Sequence, residues 1–178
     1  MKEKRNKEKL LYVTQAAMIA AIYVVLVQAF APISFRAVQC RIAEALTILP
    51  YFTPAAIPGV TIGCLLGNIL GGCDILDISF GTLATFLGAA GTYTLRRYKW
   101  LAPVPPILSN TIIIPWVLRF AYADTSPVYF LMATVGIGEV ISCGVMGMIL
   151  LLALKRYQDV IFPNTEAGIR ETKRKSKI

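Results

Sequence analysis

The polar side chains that could do chemistry in this sequence lie inside apolar segments. Arg41 and Glu44 fall three residues apart in the apolar run from Phe35 to Gly72, and Glu139 ends the motif GIGE in a later apolar run. At helical spacing, Arg41 and Glu44 share one face and are able to pair. An acid at bilayer depth costs about 3 kcal/mol on insertion scales, so intramembrane acids mark functional sites by default. Glu44 therefore belongs either to a binding site or to an ion pair that docks one helix on another.

The composition predicts a polytopic membrane protein built as one domain. The chain has 178 residues, of which 56% are hydrophobic, and its mean hydropathy of +0.63 is too high for a soluble domain. The formal charge of +8 comes from Lys and Arg that cluster in residues 1–9, 96–99 and 155–178, next to apolar runs. Cytoplasmic loops of membrane proteins carry such clusters. We therefore expect a cell-membrane protein in contact with lipid, without a nucleic-acid partner.

The residue types argue against an enzyme. The sequence has no histidine, which removes the usual general base and the imidazole metal ligand. It also has no GxxxxGK(S/T) phosphate loop. Asp74 and Asp77 are a weak metal signal and are more typical of solvated loop acids or of a helix cap. We expect no catalytic residue, no cofactor and no metal.

The four cysteines form no CxxC pair and have no metal-ligand spacing. Cys64 and Cys143 lie within apolar runs, as small core residues do. Cys40 and Cys73 fall near segment ends on the predicted outer side. The sequence leaves open whether these two form a disulfide.

Hydrophobic runs and prolines divide the chain into a basic cytoplasmic lead (1–9), a six-helix membrane domain (10–157) and a basic, disordered cytoplasmic tail (158–178). Six crossings place both termini in the cytoplasm, in agreement with the Lys/Arg clusters. The second and third helices are short and marked by proline or glycine, which is typical of segments that line a binding cavity. The predicted helices cover residues 10–31, 38–49, 55–70, 80–95, 102–122 and 128–157.

Small residues recur at four-residue spacing in the first and third helices, and this spacing lets helices approach closely. In the first helix the pairs are Ala16 with Ala20 and Ala17 with Ala21. They serve either packing within the chain or contact with a partner. In the third helix Gly59, Gly63 and Gly67 form a second ridge of this kind.

Four polar residues occupy four different predicted helices at similar depth. They are Glu44, Asn68, Asn110 and Glu139. A small apolar cavity with a few well-placed polar groups is how small-molecule sites look. We therefore expect these side chains to converge on a ligand.

Several motifs together resemble the QueT family. They are RIAEALTILPYFTPAAIPGVTIGCLLGNILGG, FGTLATFLGA, PPILSN and VGIGE, and the resemblance covers roughly residues 10–157. Members of that family are substrate-binding S components of energy-coupling factor (ECF) transporters, associated with queuosine precursors. The resemblance implies a six-helix S component that docks on a transmembrane coupling subunit driven by two ATPase subunits. It also implies that Ala17 and Ala21 belong to an alanine-rich surface that meets the coupling subunit.

The implied ligand is a 7-deazaguanine, such as queuine or its aminomethyl precursor. A carboxylate accepts the N1–H and 2-amino groups of its guanine-like edge as a pair, and Glu139 is the first candidate for this role, with Glu44 second. Asn110 or Asn68 would read the O6 side of the base. Arg41 would hold Glu44 in place. Aromatic candidates for stacking on the base are Phe35, Phe80, Trp116 and Tyr122.

Two further hypotheses remain open from the sequence. The same fold would serve an S component for another vitamin, because a fold does not fix its substrate. A membrane enzyme or an assembly subunit without a transported ligand is the hypothesis from a different class.

The outer acids Asp74 and Asp77 are additional candidates for attracting the cationic aminomethyl arm of the precursor.

Overall fold

A computed structural model describes residues 2–30 and 41–161, and every regular element within these ranges is helical. This confirms the all-α prediction. The predictions for Phe35 and Cys40, and those for most of the tail, lie outside the described residues. Of the tail, residues 158–161 are described and form a short helix, Gln158–Ile161.

The first helix spans Lys2–Ala29 and is therefore longer than predicted. The sequence predicts a solvated lead over residues 1–9, but the helix continues back to Lys2. Glu3 and Lys7 stabilise the added turns through an exposed ion pair of 2.9 Å at i,i+4 spacing. Charge alone thus does not end the helix, because Glu, Lys and Arg are good helix formers.

The second helix is a 3₁₀ helix over Ile42–Tyr51, with Pro50 inside it. The sequence predicts a helix over 38–49 that Pro50 closes, and residues 38–40 lie outside the described part. The first turn is already 3₁₀, since the Glu44 N–H donates to the Arg41 carbonyl at 2.9 Å. Nearly all of this segment is buried. It therefore runs through the interior of the helical bundle rather than along its surface.

The third helix, Ala56–Leu70, packs its glycine ridge on the first helix. A Cβ at Gly59 would lie 2.9 Å from the Cβ of Ile19, and one at Gly63 would lie 2.6 Å from that of Tyr23. Real Cβ atoms do not come so near to another side chain, so glycine is required for this approach. The predicted role of the ridge in close packing is confirmed.

Of the remaining helices, the fourth and the sixth each contain a π-helical turn that the sequence did not indicate. The fourth begins with a π-helical turn, Asp77–Gly81, and continues as Thr82–Thr94. The fifth spans Val104–Ala121, with Pro115 inside it. The sixth runs as Val128–Glu139, a π-helical turn at Val140–Met146, and Gly147–Lys155. π turns inside α-helices occur mostly at functional sites, and both of these turns carry a buried polar residue.

Three helices are long and apolar enough to cross a membrane: Arg5–Ala29, Val104–Ala121 and Val128–Lys155. Ile42–Tyr51 and Ala56–Leu70 are apolar but shorter than a full span. Large apolar side chains such as Ile22, Leu83 and Ile149 are exposed on the outside of the bundle. This distribution agrees with a surface that faces lipid. The count of six crossings stays a prediction.

Candidate functional site

Two glutamates and a cysteine meet in the interior of the bundle. A carboxyl oxygen of Glu44, a carboxyl oxygen of Glu139 and the thiol of Cys143 all lie within 4.8 Å of one another, and all three residues are buried. Glu44 comes from the 3₁₀ helix, and the other two come from the sixth helix. We call these three residues the carboxyl cluster. The structure thus brings together the two acids that the sequence singled out.

The first and fourth helices hold Glu44 in position. The hydroxyl of Tyr23 donates a short hydrogen bond to Oε1 of Glu44, and Thr85 donates to the same oxygen at 3.3 Å. Oε2 of Glu44 is buried and has no hydrogen-bond partner among the described residues. A buried carboxyl oxygen without a partner costs free energy. The site therefore offers an acceptor that a ligand can satisfy.

The π turn of the sixth helix positions the Glu139 side of the cluster. Cys143 follows Glu139 by four residues, and its thiol donates to Oε2 of Glu139 at 3.2 Å. The side chain of Asn110, which is buried in the fifth helix, is close enough to interact with both carboxyl groups. Three of the four polar residues expected to converge therefore do so: Glu44, Asn110 and Glu139.

Arg41 forms its salt bridge with Asp77, at 3.4 Å, inside the protein. The sequence did not indicate this salt bridge, and the prediction that Arg41 holds Glu44 in place stays a prediction. The prediction that Asp77 is a solvated loop acid is also wrong, because Asp77 is buried in the π turn of the fourth helix. Asp74, by contrast, caps that helix by accepting from the Leu76 N–H at 2.8 Å. One of the two expected roles for this loop is thus confirmed at Asp74.

Tyr122 and Asn68 adjoin the Arg41–Asp77 pair. The Tyr122 hydroxyl donates to Asp77 at 3.1 Å, and burial together with the charge of Asp77 raises the pKa of Tyr122, which keeps it a donor. The amide of Asn68 lies 3.5 Å from the Asp77 carbonyl and 3.7 Å from the thiol of Cys64. Cys64 in turn accepts from Thr85, which also bonds Glu44. Asn68 therefore lies between the ion pair and the carboxyl cluster.

The aromatic side chains predicted to stack on a base are not gathered at the carboxyl cluster. Trp116 is exposed and stacks on Phe120, with ring centroids 6.3 Å apart. Trp116 and Phe80 line an apolar surface groove of about 590 Å³. Tyr122 belongs to the Asp77 group, and Phe35 lies outside the described residues. Tyr23, which was not among these candidates, is an aromatic residue that does hydrogen-bond to the cluster.

The alanines of the first helix divide between two faces. Ala20 is buried, and its carbonyl would lie 3.1 Å from a Cβ at Gly63. Ala16 is partly buried, and its carbonyl faces Gly59 in the same way. Both therefore pack within the chain on the third helix, and a partner contact for them stays a prediction. Ala17 and Ala21 are more exposed and remain available to a partner.

Sequence reasoning missed several residues around the site. Tyr23 lies in an apolar helix, three residues after Ala20 and four after Ile19, and shares their buried face. That spacing was the available signal. The threonines and cysteines gave no such signal, because both residue types are common in the cores of helical bundles. The missed residues are Tyr23, Thr47, Cys64, Thr85 and Cys143.

Comparison with known proteins assigns the family. The sequence profile of the QueT transporter family matches residues 13–156, which is most of the chain. The chain belongs to the QueT transporter family. It is 32% identical over 97 residues to the queuosine precursor transporter QueT of Lactococcus lactis subsp. cremoris (strain MG1363). That match covers 53% of this chain and 57% of the relative, so the chain spans little more than half the length of the curated relative it matches. No solved structure matches.

Family membership and the apolar helices together establish this QueT-family chain as a membrane protein of the transporter class. Its interior contains more acids than bases. Among the described residues, the buried ionisable side chains of Asp, Glu, Lys and Arg are three carboxyls and one guanidinium. The guanidinium, Arg41, forms a salt bridge with Asp77, so the described core of this QueT-family protein holds one buried cation for three buried carboxyls. Two carboxylates in a dry site repel each other unless a donor group lies between them.

Proposed function

We propose that this chain is the substrate-binding S component of an ECF-type importer and that it binds a 7-deazaguanine precursor of queuosine. The carboxyl cluster is the observation that carries this proposal. Glu44 and Glu139 of this cluster come from two different helices, Asn110 from a third helix adjoins both, and the site has an unsatisfied acceptor. Polar groups that converge in this way inside an apolar bundle are how small-molecule sites are built. Membership of the QueT transporter family supports transport as their purpose.

The chemistry of the cluster matches the guanine-like edge of the ligand. That edge presents N1–H and a 2-amino group side by side, and one carboxylate accepts both in a bidentate pair. Glu139 is the first candidate for this acceptor. The amide of Asn110, close to both acids, would donate to O6. An adenine-like edge would place an acceptor nitrogen against the carboxylate. Such a base would be rejected, because neither the carboxylate oxygen nor the ring nitrogen would then have a hydrogen-bond donor.

Transport would depend on partners, which we propose to be a transmembrane coupling subunit and two ATPase subunits. The sequence has no phosphate loop of its own. The exposed Ala17 and Ala21 offer a close-packing surface for the coupling subunit. Multi-pass insertion of 10–157 with both termini in the cytoplasm completes the proposal, because the basic clusters would then all be cytoplasmic. The Lactococcus lactis relative is named as a queuosine precursor transporter, which supports the substrate class.

The deciding experiment is ligand-induced stabilisation of the purified protein in detergent. The panel contains queuine, its aminomethyl and cyano precursors, guanine, riboflavin, thiamine and biotin. A ligand at one hundred times its dissociation constant adds about 2.7 kcal/mol to the free energy of unfolding, which is visible as a rise in Tm. We expect stabilisation by the deazaguanines alone. Stabilisation by a vitamin instead would make this an S component for that vitamin, and silence across the panel would favour an enzyme or assembly subunit.

Glu139→Gln tests the assigned acceptor. The variant should bind queuine at least tenfold more weakly, because a neutral amide replaces the charged acceptor and presents a donor to the base. Glu8→Gln is the matched control, since Glu8 is an exposed acid on the first helix. Unchanged affinity in Glu139→Gln would remove Glu139 from the role and leave Glu44 as the remaining candidate.

A further inference from the structure

The two carboxyl oxygens of Glu44 differ in their hydrogen bonding. Tyr23 and Thr85 both donate to Oε1. Oε2 is buried without a partner among the described residues, and Glu44 as a whole is only 1% exposed. The protein therefore holds the carboxyl group through Oε1 and leaves Oε2 without a hydrogen-bond donor. The role assigned to Glu139 does not use this acceptor.

The spacing of the two acids is compatible with a donor group that binds both of them. Carboxyl oxygens of Glu44 and Glu139 lie within 4.8 Å of each other. A planar amino group has two N–H bonds about 120° apart, and hydrogen bonds of about 2.9 Å along both place the two acceptors about 5 Å apart. One amino nitrogen thus fits between one oxygen of each glutamate. A neutral amino group between the two carboxylates also donates to both of them, and this reduces the repulsion between their charges.

We propose that Glu44 is a specificity-determining residue that accepts the second N–H of the 2-amino group of the ligand. This inference rests on the proposed function. In this arrangement Glu139 takes N1–H and the first N–H of the amino group, and Oε2 of Glu44 takes the other. Three donors in a row on the base then meet three acceptor oxygens on two side chains. The site selects bases with a free, unsubstituted amino group at this position.

Tyr23 is a positioning residue in this scheme. Its hydroxyl bonds Oε1 and so fixes the direction in which Oε2 points. Its ring is anchored by the contact with Gly63 on the third helix. Loss of this hydroxyl should weaken binding of a base that carries the 2-amino group. It should weaken binding of a base that lacks this group much less, so the discrimination between the two bases should fall.

The test is a cycle of two proteins and two ligands, measured by direct binding to the purified protein. The ligands are 7-deazaguanine and 7-deazahypoxanthine, which differ only in the 2-amino group. The wild-type protein should bind 7-deazaguanine at least 100-fold more tightly. Glu44→Gln should weaken binding of 7-deazaguanine tenfold or more and should change binding of 7-deazahypoxanthine less than twofold. An equal loss for both ligands would overturn the proposal.

A third ligand tests the same contact in the wild-type protein alone. N2-methyl-7-deazaguanine keeps one N–H of the amino group and should bind at least tenfold more weakly than 7-deazaguanine. Equal binding of the two bases would overturn the role of Glu44 even if Glu44→Gln failed to fold.

Two more measurements ask whether the carboxyl cluster binds a cation instead. An effect of Glu44→Gln that depends on the aminomethyl arm of the ligand, and not on the 2-amino group, would overturn the proposal in favour of an ammonium site. Stabilisation by Zn²⁺ that EDTA reverses and that excludes the base would overturn it in favour of a metal site. We expect neither effect.

The proposed function and this inference fail in different ways. If none of the deazaguanines binds, the proposed function itself is wrong. If they bind but 7-deazahypoxanthine binds as tightly as 7-deazaguanine, the proposed function survives and the role of Glu44 does not.

Discussion

The hydroxyl of Tyr23 donates a hydrogen bond to Glu44, and this contact joins the first helix to the 3₁₀ helix inside the bundle. The two residues are 21 positions apart in the chain. Residues 31–40, which the structure does not describe, connect the two helices. The contact thus helps to fix the position of Glu44 relative to the first helix.

Tyr23→Phe removes this hydrogen bond and leaves the ring in place. Hydrogen bonds to charged groups contribute about 1.5–3 kcal/mol, so the Tm of the purified protein should fall and queuine should bind more weakly. Tyr12→Phe is the matched control, because Tyr12 is exposed on the same helix. Equal Tm values for the two variants would contradict the importance of the contact.

Gly63→Ala should destabilise the protein by about 1–3 kcal/mol, the usual cost of overpacking. The added Cβ would lie 2.6 Å from the Cβ of Tyr23, so the first and third helices must separate. Chemical denaturation in detergent measures the change. Gly144→Ala serves as the control, since its Cβ would have its nearest neighbours at 3.7 Å. A Gly63→Ala variant as stable as Gly144→Ala would show that the helices are not held so closely.

Asp77→Asn should be strongly destabilising, because it leaves Arg41 in the interior without the charge of its salt-bridge partner. Removing one member of a buried pair costs about 3–5 kcal/mol. The exposed pair of Glu3 and Lys7 gives the control, for which Glu3→Gln should cost less than about 1 kcal/mol. Denaturation of both variants would show the difference, and similar small effects would mean that the Arg41–Asp77 pair contributes little.

Ala21→Trp should abolish uptake into cells or vesicles and leave ligand binding by the isolated protein intact. The exposed alanine lets a partner helix approach, and a bulky side chain prevents this approach. Ile22→Trp is the control, because Ile22 is also exposed and lies one residue further around the helix. Loss of binding in Ala21→Trp would mean that this face is not separate from the binding site.

The thiol of Cys73 should react slowly with maleimide at neutral pH. Burial and the charge of nearby Asp77 raise the pKa of Cys73, so the reactive thiolate forms at higher pH than in an ordinary cysteine. The alkylation rate should therefore keep rising with pH beyond the pH at which the rate for an ordinary free thiol levels off. The measurement uses a Cys40→Ser background, and a rate that levels off at the pH of an ordinary free thiol would contradict the raised pKa.

The all-helical class, the glycine ridge and the convergence of Glu44, Asn110 and Glu139 were predictable, because each depends on apolar periodicity or on the cost of an acid among apolar residues. The salt-bridge partner of Arg41 was not. Glu44 is the local acid at helical spacing, but Asp77, 36 residues away, is reached only when the fourth helix folds back. The 3₁₀ and π turns were also beyond the sequence, since packing rather than intrinsic propensity selects them. Cys73 has a free thiol in the structure, whereas Cys40 lies outside its described part.

The 3₁₀ helix of ten residues has a consequence for how the protein is made. At a rise of about 2 Å per residue it is about 20 Å long, well short of the roughly 30 Å of a bilayer core. A nascent chain that exposed this segment alone to lipid would leave its ends and its acid without partners. It must therefore enter the membrane together with neighbouring helices. Synthesis truncated after residue 100 should give a product that the cell degrades, because Asn110 and Glu139 would not yet be present to complete the site around Glu44.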